Sequence, residues 1–413
     1  MNILFLSLTF SPDNVSTAQI MAGLAEDFAR AGNCVKVLTS TPHYHRDSSM
    51  EAKQPLRPWL GRLVQKSNIG DVEIYHFWMP NKKIFPLFRI ISWIGFHLMT
   101  ILISPFIHFK PDVIIACTPP LTMGVNSYII SKLLRSKYIF NVQEIYPDIA
   151  VNLGILKNKG LIRFFSKMER FIYRHAAAVT TITAAMAAKI RSRTDASKVR
   201  LIPNFVDLEE MASLSAIREN DFSKEHGLTN KFVITYAGNM GVPQNLGILV
   251  EAGKLLPENF VVLLVGGGGD EKRLRGIAGD SKRIIFVDYQ PISAMPSIYA
   301  ASDLFYVGQS SDAAADGIPS KIYRILGNKK PILAVTDEQS DLAVFVRNAN
   351  AGIIFGEISP KALADEIVKM ASDSDRLKAC GSAGYTFVAV QFGREAISKA
   401  YLNLLNELHN SRV

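Results

Sequence analysis

Along nearly its whole length the chain alternates short runs of β-favouring apolar residues with longer runs of helical period, and this alternation stops once and restarts. In the first half, strands are expected at 3–8, 35–39, 113–116, 138–142, 179–182 and 200–202. Between them one helical run places Ile20, Leu24 and Phe28 on a single face. Another carries Ile129, Ile130, Leu133 and Leu134, and a third Leu161, Phe164, Phe165, Met168 and Ile172. A polar stretch opening with Pro203-Asn204-Phe205-Val206-Asp207 and ending near Asn230 interrupts the pattern. Strands resume at 232–236, 261–265, 284–287, 304–307, 332–335 and 353–355. Strands separated by helices build parallel sheets of βαβ units. A chain of 413 residues exceeds what one core can organise, so two Rossmann-like α/β domains are expected, facing each other across a cleft. Their boundaries fall at 1–202 and 203–392. The remaining 393–413 form an amphipathic helix, with Ile397, Ala400, Tyr401, Leu404 and Leu408 on one stripe, that returns to dock on the first domain. In such sheets ligands bind beyond the carboxyl ends of the strands.

Apolar residues at 48% and charged residues at 20% describe a globular chain, and the net charge of +9 asks for an anionic partner. Nucleic acid is the weakest candidate and is not expected, because no long basic run carries interleaved aromatics and no nucleic-acid-binding motif is present. A nucleotide diphosphate or an anionic membrane remains. Cys34, Cys117 and Cys380 are odd in number, far apart and outside any CxxC spacing, which points to a reducing cytoplasm. The opening Met1-Asn2-Ile3-Leu4-Phe5-Leu6-Ser7 lacks a basic leader and reads as a buried strand, not a signal peptide. Segment 84–109 is strongly apolar, preceded by Lys82-Lys83 and closed by Lys110. Pro86, Arg89, His97 and Pro105 interrupt it, leaving about 18 residues between Ile90 and Ile107. Three readings stand: a span, a helix lying in the bilayer surface with its basic flank on anionic headgroups, and a buried core helix.

Chemistry is sought at the strand ends. The strand at 232–236 runs into Gly238-Asn239-Met240-Gly241, with Gln244 at the next helix start, and that at 261–265 runs into Gly266-Gly267-Gly268. Glycines at strand-to-helix turns let backbone amides approach a phosphate, although each bend alone is as readily structural. Downstream, Asp316-Gly317-Ile318-Pro319-Ser320-Lys321 precedes an apolar-periodic run. Ser320 reads as an N-cap, and Lys321 then sits in a first helical turn that disfavours a cation unless an anion lies between. The three features together favour a phosphate and nucleotide site. No GxGxxG follows the first strand of either half and no GxxxxGK[ST] loop is present, which argues against a dinucleotide oxidoreductase and a P-loop enzyme. Asp373-Ser374-Asp375 matches DxD but lies before a helical run and reads as a cap. With no HExxH or Cys/His cluster, neither metal nor cofactor is expected. His43 and His45, in the loop after the second strand, are expected to face solvent.

The ordered motifs resemble glycosyltransferase family 4, retaining enzymes of the GT-B fold, and within it the subgroup that builds O-antigen and colanic-acid repeat units. The likeness covers nearly the whole chain. It runs from Phe10-Ser11-Pro12 and the 31–37 turn-strand through Thr118-Pro119-Pro120-Leu121, Gln143-Glu144-Ile145-Tyr146-Pro147-Asp148 and Pro203-Asn204-Phe205-Val206-Asp207. It continues through Tyr236-Ala237-Gly238-Asn239-Met240-Gly241 to Ile318-Pro319-Ser320-Lys321-Ile322-Tyr323 and Lys330-Pro331.

This resemblance implies a UDP-, GDP- or dTDP-sugar donor on the C-terminal domain and an acceptor on the N-terminal one, with metal-free transfer. It implies donor contacts from Gly238, Asn239, Gly241, Gln244, Gly266, Gly267, Gly268, Asp316, Gly317, Ser320 and Arg324, and from Ser16 and Thr17 where many relatives carry a Gly pair. Hydroxyls at 16 and 17 fit a helix cap equally well. The family often places an Arg and a Lys after the first strand of its second domain; here Asn239 and Gln244 are neutral, so Lys321 takes the cationic role. Arg324 stands where the second Glu of a Glu-x7-Glu pair is usual, and Asp316 where the first is. Arg324 cannot accept a ribose hydrogen bond. Glu144 is the candidate for orienting or deprotonating an acceptor hydroxyl. The expected acceptor is a polyprenyl-diphosphate-linked saccharide, with the protein peripheral at the inner face of the plasma membrane. The rival readings are a nucleotide-sugar 2-epimerase of similar fold and a non-catalytic partner subunit.

Overall fold

The computed structural model describes all residues except Asn14, His45, Asp47, 81–85, Leu153, 209–216, 311–317 and 412–413, and only the backbone of Ser49, 86–90 and Ile292. Asp316, Gly317, His45 and the first two residues of the apolar segment therefore lie outside it. Contacts divide the chain into two units, Met1–Asn204 with Ile397–Val413, and Phe205–Ala396.

The strands of the first unit are β1 (Asn2–Leu6), β2 (Cys34–Ser40), β3 (Arg57–Leu60), β4 (Val64–Ile69), β5 (Val72–Phe77), β6 (Val113–Cys117), β7 (Lys137–Val142), β8 (Ala178–Thr181) and β9 (Val199–Leu201). They form one sheet in the order β3-β4-β5-β2-β1-β6-β7-β8-β9. Central strands such as β6, buried at every position, are near-continuous apolar runs because helices cover both faces. Pairing is parallel from β5 through β9, whereas β3, β4 and β5 form an antiparallel meander. That meander is absent from the sequence expectation. Its β4, Val-Gln-Lys-Ser-Asn-Ile, buries only Val64 and Ser67 and carries no apolar alternation to reveal it.

Four helices of this unit matter below: α1 (Ser16–Arg30), α2 (Pro86–Ile103), α3 (Thr122–Leu134) and α4 (Lys159–His175). In α1, Leu24 and Phe28 turn inwards as expected, with Met21 beside them, while Ile20 is only partly buried. In α3 and α4 the expected apolar faces split. Ile130 and Ile172 are buried, while Ile129, Leu133, Leu161 and Phe164 are exposed. The core-facing side of α4 instead takes in Glu169, 1% exposed, whose carboxylate accepts two bonds from Arg193 Nη1 at 2.8 and 2.9 Å. The described part of segment 84–109 is only partly core. Phe96, Thr100, Ser104, Ile107 and Phe109 are buried, and no helix among the described residues is long and apolar enough to cross a membrane.

The second unit holds β10 (Phe232–Asn239), β11 (Phe260–Gly267), β12 (Ile284–Val287), β13 (Leu304–Gly308), β14 (Ile332–Val335) and β15 (Gly352–Phe355), all parallel, in the order β12-β11-β10-β13-β14-β15. Helix α5 (Leu246–Leu255) follows β10, α6 (Lys321–Gly327) leads into β14, and α7 (Ser374–Phe392) closes the unit. Asp373 caps α7 by accepting from the Arg376 amide at 3.0 Å, so the DxD residues serve a helix start. The last helix, α8 (Arg394–Asn410), joins the first unit from Ile397 onward. Its Tyr401 hydroxyl accepts from Asn141 Nδ2 at 2.7 Å and lies 3.3 Å from Thr180 Oγ1, while Leu404 and Leu405 are buried beside it.

Candidate functional site

In the second unit the candidate site grows from the paired ends of β10 and β11, where Gly238 faces Gly266 and Asn239 faces Gly267. Both Gly238 and Gly266 have φ in the left-handed half of the map, +138° and +129°. Side chains two apart on a strand share a face, so the Tyr236 ring and the hollow over Gly238 lie together. Lys321, the first residue of α6, fills that place. Its Nζ stands 3.6 Å from the Tyr236 ring centroid, and a Cβ at Gly238 would come within 3.2 Å of it. The ammonium makes no hydrogen bond or ion pair among the described residues, and burial alone brings its pKa down from 10.5 to about 7. The Tyr236 hydroxyl donates to the Asn239 carbonyl at 2.5 Å, and the Tyr306 hydroxyl to that of Asn245 at 2.8 Å; the two rings tie down the intervening loop. The Tyr236 seat was not recognised in the sequence. The signal was its place two residues before a glycine at a strand end.

Several sequence candidates take different roles from those expected. Gly266 and Gly267 are buried, and a Cβ on Gly266 would be driven into the Gly238 carbonyl, so strand-to-strand approach by itself requires glycine at 266. Gly268 is exposed, yet its Cβ direction is closed by the Met240 backbone. The Gly241 amide is already spent on Gln244 Oε1 at 2.9 Å, leaving Gln244 Nε2 as the donor without a partner among the described residues. Asn239 is exposed at the tip of β10. Ser320 is not a capping residue: its backbone is helical (φ −58°, ψ −24°) and its side chain caps nothing, unlike Ser340, which accepts from the Ala343 amide at 3.1 Å. The Ser320 hydroxyl is therefore exposed beside Lys321, with no hydrogen bond among the described residues. Arg324 lies in the last turn of the short α6, where its charge opposes the rise that burial imposes on Tyr299.

In the first unit Glu144 follows β7. Burial pushes its carboxyl above the ordinary carboxylate range, a hydrogen bond with Tyr146 opposing. Thr118, at the end of β6, holds the turn by accepting from the Gln143 amide at 2.8 Å and, at 3.4 Å, from that of Glu144. Gln143 and Asn204 exchange side-chain amide bonds at 3.0 and 2.7 Å. A surface salt bridge does not account for Glu144, which has no ion pair among the described residues. Val15 occupies the N-cap of α1 with no side-chain bond, so Ser16 and Thr17 are first-turn residues and not caps. His43 is buried, contrary to the expectation of a solvent-facing ring. Its Nδ1 meets Ser40 Oγ at 2.9 Å, and its amide and that of Tyr44 donate to Asp13 Oδ2 at 3.2 and 2.9 Å. That carboxylate joins the turn after β1 to the turn after β2. Among the described residues no three His, Cys, Asp or Glu side chains are placed to hold a metal ion.

Two family models match the chain: a glycosyl transferase 4-like domain over residues 16–204, and glycosyl transferases group 1 over residues 218–387. A putative colanic acid biosynthesis glycosyl transferase, WcaI of Escherichia coli K12, is 26% identical over 340 residues, covering 79% of this chain and 81% of its own. The probable glycosyltransferase WbjE of Pseudomonas aeruginosa is 23% identical over 269 residues, 63% of this chain and 67% of its own. In three dimensions the chain is similar to Anabaena HepE in complex with UDP (TM-score 0.70, 15% identity, 98% of this chain and 100% of that one). It is also similar to WaaG, a glycosyltransferase involved in lipopolysaccharide biosynthesis (TM-score 0.65, 15% identity, 96% and 98%). The fold is GT-B, two parallel-sheet α/β domains. The chain belongs to glycosyltransferase family 4.

Proposed function

We propose that the protein is a retaining, metal-independent hexosyl or N-acetylhexosaminyl transferase acting in the assembly of bacterial surface polysaccharide. The donor is a UDP-, GDP- or dTDP-sugar and the acceptor a polyprenyl-diphosphate-linked saccharide, reached from the inner membrane face. The single observation that carries the donor half is Lys321: an enclosed ammonium, held over Tyr236 and against Gly238, with no anion beside it among the described residues. A cation kept out of water at such expense calls for an anionic ligand. The complexes of HepE with UDP and with UDP-glucose support a nucleotide-sugar, and the name of WcaI supports a polysaccharide.

In the reaction the bond between the sugar C1 and the diphosphate breaks, and the diphosphate oxygen leaves with the electron pair. Lys321 and the donors at Ser320 and Gln244 stabilise that charge, more strongly as it grows. The acceptor hydroxyl forms the new bond to C1 from the face the diphosphate leaves. Its proton passes to the departing phosphate oxygen or to Glu144. With its affinity for protons raised by burial, Glu144 suits taking or sharing that proton.

Supplying isotope-labelled donors to the purified protein with membrane extract tests this reading. Label moving into a lipid-extractable saccharide supports it. Free epimerised sugar would replace it with the epimerase reading, and no turnover of any donor with the non-catalytic one. Lys321→Ala retaining the wild-type rate would remove the assignment of the cation.

A further inference from the structure

Helices α2, α3 and α4 lie side by side in the first unit. His97 Nε2 meets Thr122 Oγ1 at 2.8 Å and Asn126 Nδ2 donates to Thr100 Oγ1 at 2.9 Å between the first two. Tyr128 packs edge-on against Phe171 at 5.0 Å between the second two. Their outward faces are apolar. Ile91, Ile94, Leu98 and Leu102 recur at helical spacing along α2, with Leu102 63% exposed, and Phe106 continues the stripe at 64%. Ile129 and Leu133 follow on α3, then Leu161, Phe164 and Phe171 on α4. A monomer surface seldom gathers so many large apolar side chains in one place without using them.

Helix α4 adds a second exposed stripe. Arg163, Lys167, Arg170 and Arg174, spaced four, three and four apart, share one face beside the apolar one. The only acid of α4, Glu169, is buried against Arg193, and residues 91–107 carry no Asp, Glu, Lys or Arg. The surface is thus greasy in the middle, basic along one edge and free of exposed acid on α2 and α4.

We infer that this three-helix surface seats the protein on an anionic lipid bilayer, with the apolar stripes at the headgroup–acyl boundary and the α4 cations among the headgroup phosphates. The inference deepens the membrane part of the reading above and rests on it only for the acceptor's location. It assigns the contact to α3 and α4 as well as to the stripe from Ile91 to Phe106. A second copy of the chain fits less well, because a two-fold contact across this face would bring each basic edge into its partner's vicinity with no acid to meet it. With no helix among the described residues long and apolar enough to span, the stripes lie in the membrane plane.

Cosedimentation of the full chain with vesicles tests the assignment, comparing equimolar phosphatidylglycerol and phosphatidylcholine with phosphatidylcholine alone. The protein should pellet with the anionic vesicles, and the Arg163→Ala/Lys167→Ala/Arg170→Ala variant should lose about 100-fold in partitioning, about fivefold per cation. Leu98→Asn/Phe164→Asn should lose binding to both compositions. All these residues except Leu98 and Phe164 are charged surface groups, and those two are exposed, so melting temperature and stabilisation by a nucleotide-sugar should be unchanged. These two readouts separate failure of the surface from failure of the donor site. The inference is overturned if the wild type stays in the supernatant, if either variant pellets as the wild type does, or if lipid-free protein is a dimer that Leu98→Asn/Phe164→Asn turns into monomer.

Discussion

The most searching test of the donor site is the pH dependence of donor binding. Lys321 titrates near 7 in the free protein because burial disfavours its charge. A bound diphosphate would restore the ammonium to at least its ordinary 10.5. Linkage then fixes the proton count. At pH 8 about nine-tenths of the free protein has lost this proton, so binding should take up about 0.9 proton, against about 0.1 at pH 6. The dissociation constant should weaken about fivefold from pH 7 to pH 8 and about 50-fold by pH 9. Isothermal titration of a nucleotide-sugar in buffers of different ionisation enthalpy reads the uptake directly, since its diester phosphates do not titrate here. In Lys321→Met both the uptake and the pH slope should vanish. The sign of the stability effect follows as well. The folded value lies below the unfolded one, so the unfavourable term is complete below pH 7 and fades as pH rises towards 10.5. Full conversion of that shift gives about 5 kcal/mol; the side chain keeps some contact with solvent, and about 1–3 kcal/mol gained by Lys321→Met at pH 6 is the expected outcome. Uptake near zero at pH 8 in the wild type, or a binding constant flat from pH 7 to pH 9, would refute the placement of the diphosphate on this ammonium.

Other consequences can be checked more simply. Glu144→Gln should lower kcat by about 10²–10⁴-fold with donor affinity intact; because the folded carboxyl titrates above its unfolded value, the variant should also be the more stable one at neutral pH and not at pH 4, as denaturant melts would show. Gly266→Ala places a methyl against the Gly238 carbonyl at a positive φ, so a loss of more than about 3 kcal/mol, or failure to fold, is expected by chemical denaturation. Tyr401→Phe leaves the buried Asn141 amide short of an acceptor and should cost about 1–3 kcal/mol in the same assay. An unchanged melt would remove Tyr401 as the anchor of α8.

Much of this protein could be read directly from its residues. Apolar runs of strand length between helical runs point to two largely parallel sheets, because parallel neighbours need a crossover and these helices supply it. The same pattern locates the strand ends, and with them Glu144, the Gly238 turn and Lys321. The tertiary structure alone decided what each side chain meets there. Gly266 is a glycine because a neighbouring strand passes too close, and pairing register is invisible in a single run. Ser320 sits at a helix start without capping it, since its backbone already has the helical conformation. The antiparallel β3–β5 meander and the buried His43 depend on partners far along the chain. Most consequentially, α4 packs Phe165, Met168 and Ile172 inwards together with Glu169, and leaves Leu161 and Phe164 of the same apolar run outside. Helical period says which residues share a face; that Glu169 can lie on the buried one depends on Arg193, 24 residues further on, to pair its charge.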